Sequence, residues 1–319
     1  MDKKQGKVWI ILLIILIVIL GCIFAGYLFI KSKFDKMTYK PLDEADLGIE
    51  TVEEEPEKPK VQVDDKIKFV IFGSDSRDTD NSYAGRSDTI IIVVIDNVNK
   101  GINLISIPRD TYVNVPDYGM TKINHAYAYG QEQLSIKTIN SYFGLDLTQY
   151  ITVDFSGLVS SIDRVGGVDI TLDQDEVNFI NQRVSAENQI AGPGTVTLNG
   201  TQALVHSRNR YVGNDFTRAS RQRAILIALM NKVSKLSVDE ILDLSDDILV
   251  NLTTNMDINK YREMFVEVAS DRQDYLSNIN SIQIPSTDYG YDMMLDGVYY
   301  FGFDLDRAKQ DFNTYYYGK

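Results

Sequence analysis

The chain has 319 residues, 44% of them hydrophobic, and a formal net charge of −13. With an apolar N-terminal run and the charged stretch after it set aside, about 250 residues remain, enough for one large core or two small ones. The single cysteine (Cys22) excludes an internal disulfide or a cysteine-built zinc site, the two histidines (His125 and His206) exclude a three-histidine metal centre, and the acidic balance argues against non-specific nucleic-acid binding.

Residues 1–7 form a short polar start. Residues 8–30 are 23 apolar or small residues without a charge. At about 1.5 Å per residue they span a bilayer core. A cleaved signal peptide has a shorter apolar core and a small-residue cleavage site. Neither is present: Ile19-Leu20-Gly21-Cys22 only faintly resembles a lipoprotein site, because Leu20 is large. The expectation is an uncleaved transmembrane helix. Lysines flank both of its ends, so counting them does not orient it. The shortness of residues 1–7 favours an N-terminus inside and the rest of the chain outside. Residues 31–66 follow as a tether. Ten acids, three lysines and three prolines in residues 41–66 predict an extended, self-repelling spacer without function of its own.

The globular part is expected over residues 67–319. Residues 67–72, 89–95 and 102–107 read as strands, and the almost wholly β-branched run TIIIVVI at 89–95 suits a central strand covered on both faces. Residues 125–142 turn helical. Residues 151–155 and 168–172 read as further strands, separated by a helix that closes at Gly166-Gly167. Residues 173–194 are polar and expected to loop around a short helix. Helices are expected over 199–207, 215–236, 238–249, 258–268 and 305–316, and a late strand over 279–284. This alternation predicts an α/β fold: a single layered domain with a central mixed β-sheet flanked by helices.

Three polar clusters fall at strand ends, where α/β sheets bind ligands: Gly73-Ser74-Asp75-Ser76-Arg77, Gly85-Arg86-Ser87-Asp88-Thr89 and Ser106-Ile107-Pro108-Arg109-Asp110. Each supplies an arginine and an aspartate. A fourth stretch, residues 206–223, holds Arg208, Arg210, Arg218, Arg221 and Arg223 and no lysine. Fork-shaped donors without lysine point to an anion recognised through several hydrogen bonds. The stretch opens a helix with Asp215 as a plausible N-cap. The spacing puts Arg218, Arg221 and Gln222 on one face of its first turns, where free N–H groups also favour an anion. A solvated basic face is the plainer alternative for these arginines. Eight of the thirteen arginines lie in these four places.

The segments GSDSR, GRSDTIIIVVID, LISIPRDTYV, KINHAYAYG, VDFSGLVSSIDRVGGVDI, LNGTQALVHSRNR and DFTRASRQR resemble the LytR-CpsA-Psr family in order and rough spacing, over about residues 67–230. The resemblance implies a membrane-anchored phosphotransferase of Gram-positive cell-wall assembly. Such an enzyme moves an anionic glycopolymer (wall teichoic acid, capsule or similar) from a polyprenyl-pyrophosphate carrier to a peptidoglycan hydroxyl. It implies Asp75 and Asp88 as ligands of Mg²⁺ (or Mn²⁺), with Arg109 catalytic beside them. Arg109, Arg208, Arg210, Arg218 and Gln222 then cradle the phosphates. Arg77, Arg86, Lys122 and Arg221 form a second tier. Phosphoryl transfer needs charge neutralisation and positioning rather than covalent help, which suits this residue set. The general base stays open between Asp75, Asp88 and the metal alone.

His206 and His125 read as packing residues, although His125 follows Lys122 and is also placed to line an acceptor site. Tyr315, Tyr316 and Tyr317 read as a docked helix end. Residues 89–95 and 224–233 are candidate walls for a lipid tail, and plain core packing accounts for them equally well. Rival readings are a polyprenyl-pyrophosphate hydrolase, a membrane-anchored regulator and a binder without turnover.

Overall fold

The computed structural model describes residues 32, 35–49, 66–74, 85–209, 211–213, 215–237, 240, 249–257 and 271–318. The expected transmembrane helix at 8–30 lies outside them, as do the expected helix at 258–268 and most of that at 238–249. No helix among the described residues is long and apolar enough to cross a membrane.

In chain order the strands are β1 (Thr38–Tyr39), β2 (Lys66–Ser74), β3 (Ser87–Asp96), β4 (Gly101–Ser106), β5 (Tyr112–Val115), β6 (Gly119–Lys122), β7 (Tyr150–Asp154), β8 (Val168–Leu172), β9 (Gly194–Leu198), β10 (Leu252–Thr254), β11 (Ile279–Gln283), β12 (Gly290–Leu295) and β13 (Val298–Phe303). The helices are α1 (Ile123–Phe143), α2 (Phe155–Arg164), α3 (Gln174–Asn181), α4 (Gly200–Ser207), α5 (Asp215–Val233), α6 (Arg272–Ser277) and α7 (Leu305–Phe312).

Seven strands make one mixed sheet, in the order β1-β10-β7-β2-β3-β4-β11. β3 runs antiparallel to both β2 and β4, while β2–β7 and β4–β11 are parallel. The C-terminal ends of β2, β4, β7 and β11 therefore share one end of the sheet with the start of β3. The β-branched run of β3 explains the layering. Ile90, Ile92 and Val94 face a core closed by α1 and α7, while Ile91, Val93 and Ile95 face the opposite core, where Leu226, Ile227 and Met230 of α5 pack. Burying such a side chain fully stabilises by about 1.5–3 kcal/mol, which favours a covered central strand over an exposed one.

Two expectations need correction. Residues 168–172 do form a strand, but it pairs with β9 in a separate hairpin rather than in the main sheet. That hairpin, with α2, α3 and α4, closes a third core around Ile162, Val168, Ile170, Val177, Ile180 and Leu198, to which α5 adds Ile225. The free tether is also shorter than expected. Thr38–Tyr39 adds a strand to the sheet beside β10, and Leu47 is buried in the α1 core. Gln133 Nε2 donates to the carbonyls of Asp43 and Asp46, and Lys40 Nζ reaches the buried carboxylate of Glu132 at 2.7 Å. The acids that made this segment look solvated alternate with Leu42, Leu47 and Ile49, and these three decide where it goes. The C-terminal tyrosines dock as expected: Tyr316 is buried, and its hydroxyl donates to Asp146 Oδ1 at 2.5 Å.

Candidate active site at one end of the central sheet

Asp88, the second residue of β3, sits at the shared end of the sheet. Arg109 arrives from the loop after β4. Its Nη1 donates to Asp88 Oδ1 at 2.9 Å, and its Nε donates to Asp110 Oδ2 at 3.3 Å. Lys122, at the end of β6, donates to Asp110 Oδ1 at 2.6 Å. Asp110 thus holds Arg109 and Lys122 side by side. Arg218 comes from the first turns of α5. Its Nη2 donates to the backbone carbonyl of Asp88 at 2.5 Å and lies 3.9 Å from Asp88 Oδ1.

The loop carrying Arg109 is anchored from two sides. Ile107 N–H donates to the carbonyl of Ile90, and the Asn124 N–H at the start of α1 donates to the carbonyl of Arg109. No side chain caps α1, so its first N–H groups take backbone acceptors from this loop instead. Arg223, one turn beyond Arg218, is buried and donates to the hydroxyls of Ser106 (2.5 Å) and Ser281 (2.8 Å). Burial lowers its pKa to about 10, so it remains charged at neutral pH. It ties α5, the helix that carries Arg218, to Ser106 at the end of β4 and to Ser281 in the middle of β11.

Asp88, Arg109, Arg218 and Gln222 line one cleft with Ile90, Ser106, Ile107, Pro108 and Ala219. The cleft is narrow, about 10 Å³. The Asp88 side chain stays 37% exposed while Arg218 is 5% exposed. A half-open carboxylate backed by buried guanidinium groups suits an anion that brings its own counter-ion. Arg86, beside Ser87, adds positive charge felt at His125, whose pKa is lowered by burial and then by Arg86 and Lys122. His125 is therefore neutral at neutral pH.

The LytR_cpsA_psr family pattern matches residues 27–315. The chain belongs to that family. It is 30% identical over 316 residues to a Bacillus mycoides (strain KBAB4) protein named polyisoprenyl-teichoic acid–peptidoglycan teichoic acid transferase TagU, with 97% of this chain and 95% of that one covered. A protein of the same name from Oceanobacillus iheyensis is 31% identical, with 94% and 90% covered. Among solved structures, TagT bound to LI-WTA superposes with a TM-score of 0.69 at 26% identity, covering 86% of this chain and 98% of that one.

In this LytR_cpsA_psr domain the residues expected from sequence divide cleanly. Asp88, Arg109, Lys122, Arg218 and Gln222 come together, with Arg86 beside them. Asp75, Arg77 and Arg210 lie outside the described residues. Arg208 ends α4 and is exposed. Arg221 is a correction. It does not share the cleft: its Nε donates to Glu176 Oε1 at 2.7 Å, and its Nη atoms donate to the carbonyls of Asn209 and Val212. Three positions turn a helix through about 300°, so Arg221 lies only about 60° round α5 from Arg218, and it is these acceptors rather than the spacing that draw its guanidinium away from the cleft. There it borders a cavity of about 690 Å³ between α5 and β8, lined also by Glu176, His206, Lys232 and Lys235. His206 is buried in that wall as expected of a packing residue, with its pKa lowered to about 4, chiefly by burial.

The two candidate lipid walls pack directly against each other as a core, Leu226, Ile227 and Met230 against Ile91 and Val93. Two residues of these clusters had no role assigned from sequence. Asp110 directly follows Arg109, and a carboxylate beside a functional arginine is the signal that marked it. Arg223 is the last arginine of the stretch, and no local signal separates it from Arg221.

Magnesium prefers hard oxygen donors, typically one or two carboxylates plus phosphate oxygens. The open carboxylate of Asp88 fits that role. No group of three or more His, Cys, Asp or Glu residues suited to a metal occurs among the described residues, so an all-protein cage is not what this site offers.

Proposed function

We propose that this chain is a phosphotransferase that moves a teichoic-acid-type glycopolymer from a polyprenyl-pyrophosphate carrier to a peptidoglycan hydroxyl. The observation that carries the reading is the grip on Asp88 by Arg109 and Arg218, two guanidinium groups from distant parts of the chain at one strand end. The named relatives add the substrate class.

The reaction needs an acceptor oxygen to bond to the phosphorus that bears the glycan. The bridging P–O bond breaks, and its electron pair leaves with polyprenyl phosphate. Arg109 and Arg218 stabilise charge that builds on the phosphate oxygens, and Gln222 donates from the next turn. Asp110 and Arg223 hold those donors in place. A divalent cation, Mg²⁺ or Mn²⁺, would be held by Asp88 with Asp75 and would neutralise the diphosphate on binding. Asp88 is also placed to take the proton of the attacking hydroxyl. In the cell, residues 8–30 would anchor the chain with the catalytic domain outside.

The test is to incubate the full chain in detergent with a lipid-pyrophosphate glycan, Mg²⁺ and peptidoglycan oligomers. A covalent polymer–peptidoglycan product is expected. Glycan phosphate and polyprenyl phosphate released without that product would make it a hydrolase, and retained lipid with neither would make it a binder.

A further inference from the structure

The turn of the β5–β6 hairpin and the first turns of α1 present aromatic rings to solvent, one hairpin length from Lys122, which pairs with Tyr112 at the hairpin's open end. Tyr118 and Tyr129 stack with centroids 4.3 Å apart and planes 18° apart. They remain 55% and 46% exposed. His125 packs against Tyr129 at 5.8 Å, and its Nδ1 lies 2.8 Å from Thr121 Oγ1. Neither tyrosine ring belongs to a core cluster. Rings held in register yet left in water are surface arranged for a ligand rather than for packing.

The backbone holds this pair in place. Tyr118 sits in the hairpin turn between Asp117 (φ 67°) and Gly119 (φ 78°). Tyr129 directly precedes a break in α1, where Gln131 has φ 52°. A Cβ on Gly130 would come within 2.5 Å of Leu134 Cβ, so the break requires glycine there. The same break meets the turn that carries Arg86, since a Cβ on Gly85 would lie 3.6 Å from Gln131 Nε2. At the other end of this segment, the Ile123 and Asn124 N–H groups donate to the carbonyls of Thr111 and Arg109. The ring pair is thereby tied to both loops of the reaction centre.

We propose that Tyr118 and Tyr129, edged by His125, form the platform on which a sugar ring of the acceptor glycan stacks. A pyranose offers a face of C–H bonds that packs on an aromatic ring and a rim of hydroxyls that need polar neighbours, here the imidazole and the Thr121 hydroxyl. The occupant is the acceptor for a geometric reason. In-line displacement sets the attacking and leaving oxygens on opposite sides of the phosphorus. The apolar side chains of α5 cover one face of the sheet and α1 covers the other, and on the transferase reading the lipid leaves along the α5 face. The ring pair belongs to the α1 side, from which the attacking hydroxyl arrives. This inference rests on the transferase reading above.

The experiment uses the full chain in detergent micelles. Soluble oligomers of alternating N-acetylglucosamine and N-acetylmuramic acid are titrated calorimetrically without donor, and transfer rates are then measured against acceptor and donor concentration. Replacing both rings (Tyr118→Ala with Tyr129→Ala) is expected to weaken oligomer binding and raise the acceptor KM about tenfold, with the donor KM unchanged. Tyr118→Phe with Tyr129→Phe keeps the rings and is expected to restore both to within about twofold of the original. Unchanged far-UV circular dichroism would show that the alanine variant is folded. Equal oligomer affinity in the original and the double alanine variant overturns the platform and leaves the transferase reading intact. A rise in donor KM alone also overturns it, by assigning the rings to the donor's glycan. If the original chain transfers nothing, the transferase reading fails, and the donor-free titration still decides whether the rings bind glycan.

Discussion

Arg218 and Arg221 sit three residues apart on α5, and each meets an acid. Arg218 touches the carbonyl of Asp88 and approaches a carboxylate that stays 37% exposed. Arg221 is locked between Glu176 and two backbone carbonyls, with both charged side chains largely buried. In the first region a charge is buried but its acid faces a cleft, so a ligand can still be added. In the second, the Nε and both Nη atoms of Arg221 already have acceptors, so the guanidinium has little left to give a substrate. The difference shows that an arginine in a stretch like this one is assigned by its acceptors, not by its spacing.

Arg221→Ala should separate the two regions most sharply. It strands Glu176 without its partner, and loss of one member of a buried pair costs about 3–5 kcal/mol. Urea unfolding should show that loss, while the fraction that stays folded transfers normally. Arg109→Ala should do the reverse. Transfer falls about 10²–10³-fold, equivalent to about 2.7–4 kcal/mol of transition-state stabilisation, and the unfolding midpoint hardly moves. If Arg221→Ala abolished turnover in a folded protein, the division between the two regions would be lost.

The closed region also carries a pH signature. His206 has a folded pKa of about 4, below the ordinary 6.5, so the folded state keeps it neutral. Its contribution is full above pH 6.5 and drains away as pH falls towards 4, amounting to about 3 kcal/mol. Urea midpoints between pH 7 and 4.5 should fall more steeply for the original chain than for His206→Gln. Parallel slopes would contradict the burial of a neutral imidazole. A smaller effect tests the docked N-terminal segment: Leu47→Ala should cost about 2 kcal/mol, the lower end for a buried leucine, and should leave the acceptor and donor KM unchanged.

Much of the fold was legible from sequence because β3 is so strongly β-branched. Its run Thr89–Ile95 identified a doubly covered strand, and β2, β4, α1 and β11 fell where the pattern put them. Pattern strength failed where exposure is mixed. β12–β13 carries tyrosines and methionines on both faces, so no alternation marks it, and β5–β6 offers only four residues per strand. Residues 168–172 look like any sheet strand, since a local run does not say which partner it pairs with. At the site, the strand-end clusters were readable because arginine and aspartate recur together. The roles of Arg221 and Arg223 were not, because Glu176, Ser106 and Ser281 lie 45, 117 and 58 residues away from them in the chain.

The central claim is that Arg109 and Arg218 converge with Asp88 on one diphosphate. Crystallographic density for a bound polyprenyl pyrophosphate tests it most directly. Phosphate oxygens are expected within hydrogen-bond distance of both guanidinium groups at the end of β3. Density for the diphosphate against Arg221, Lys232 and Lys235 instead, on the β8 side of α5, would contradict it.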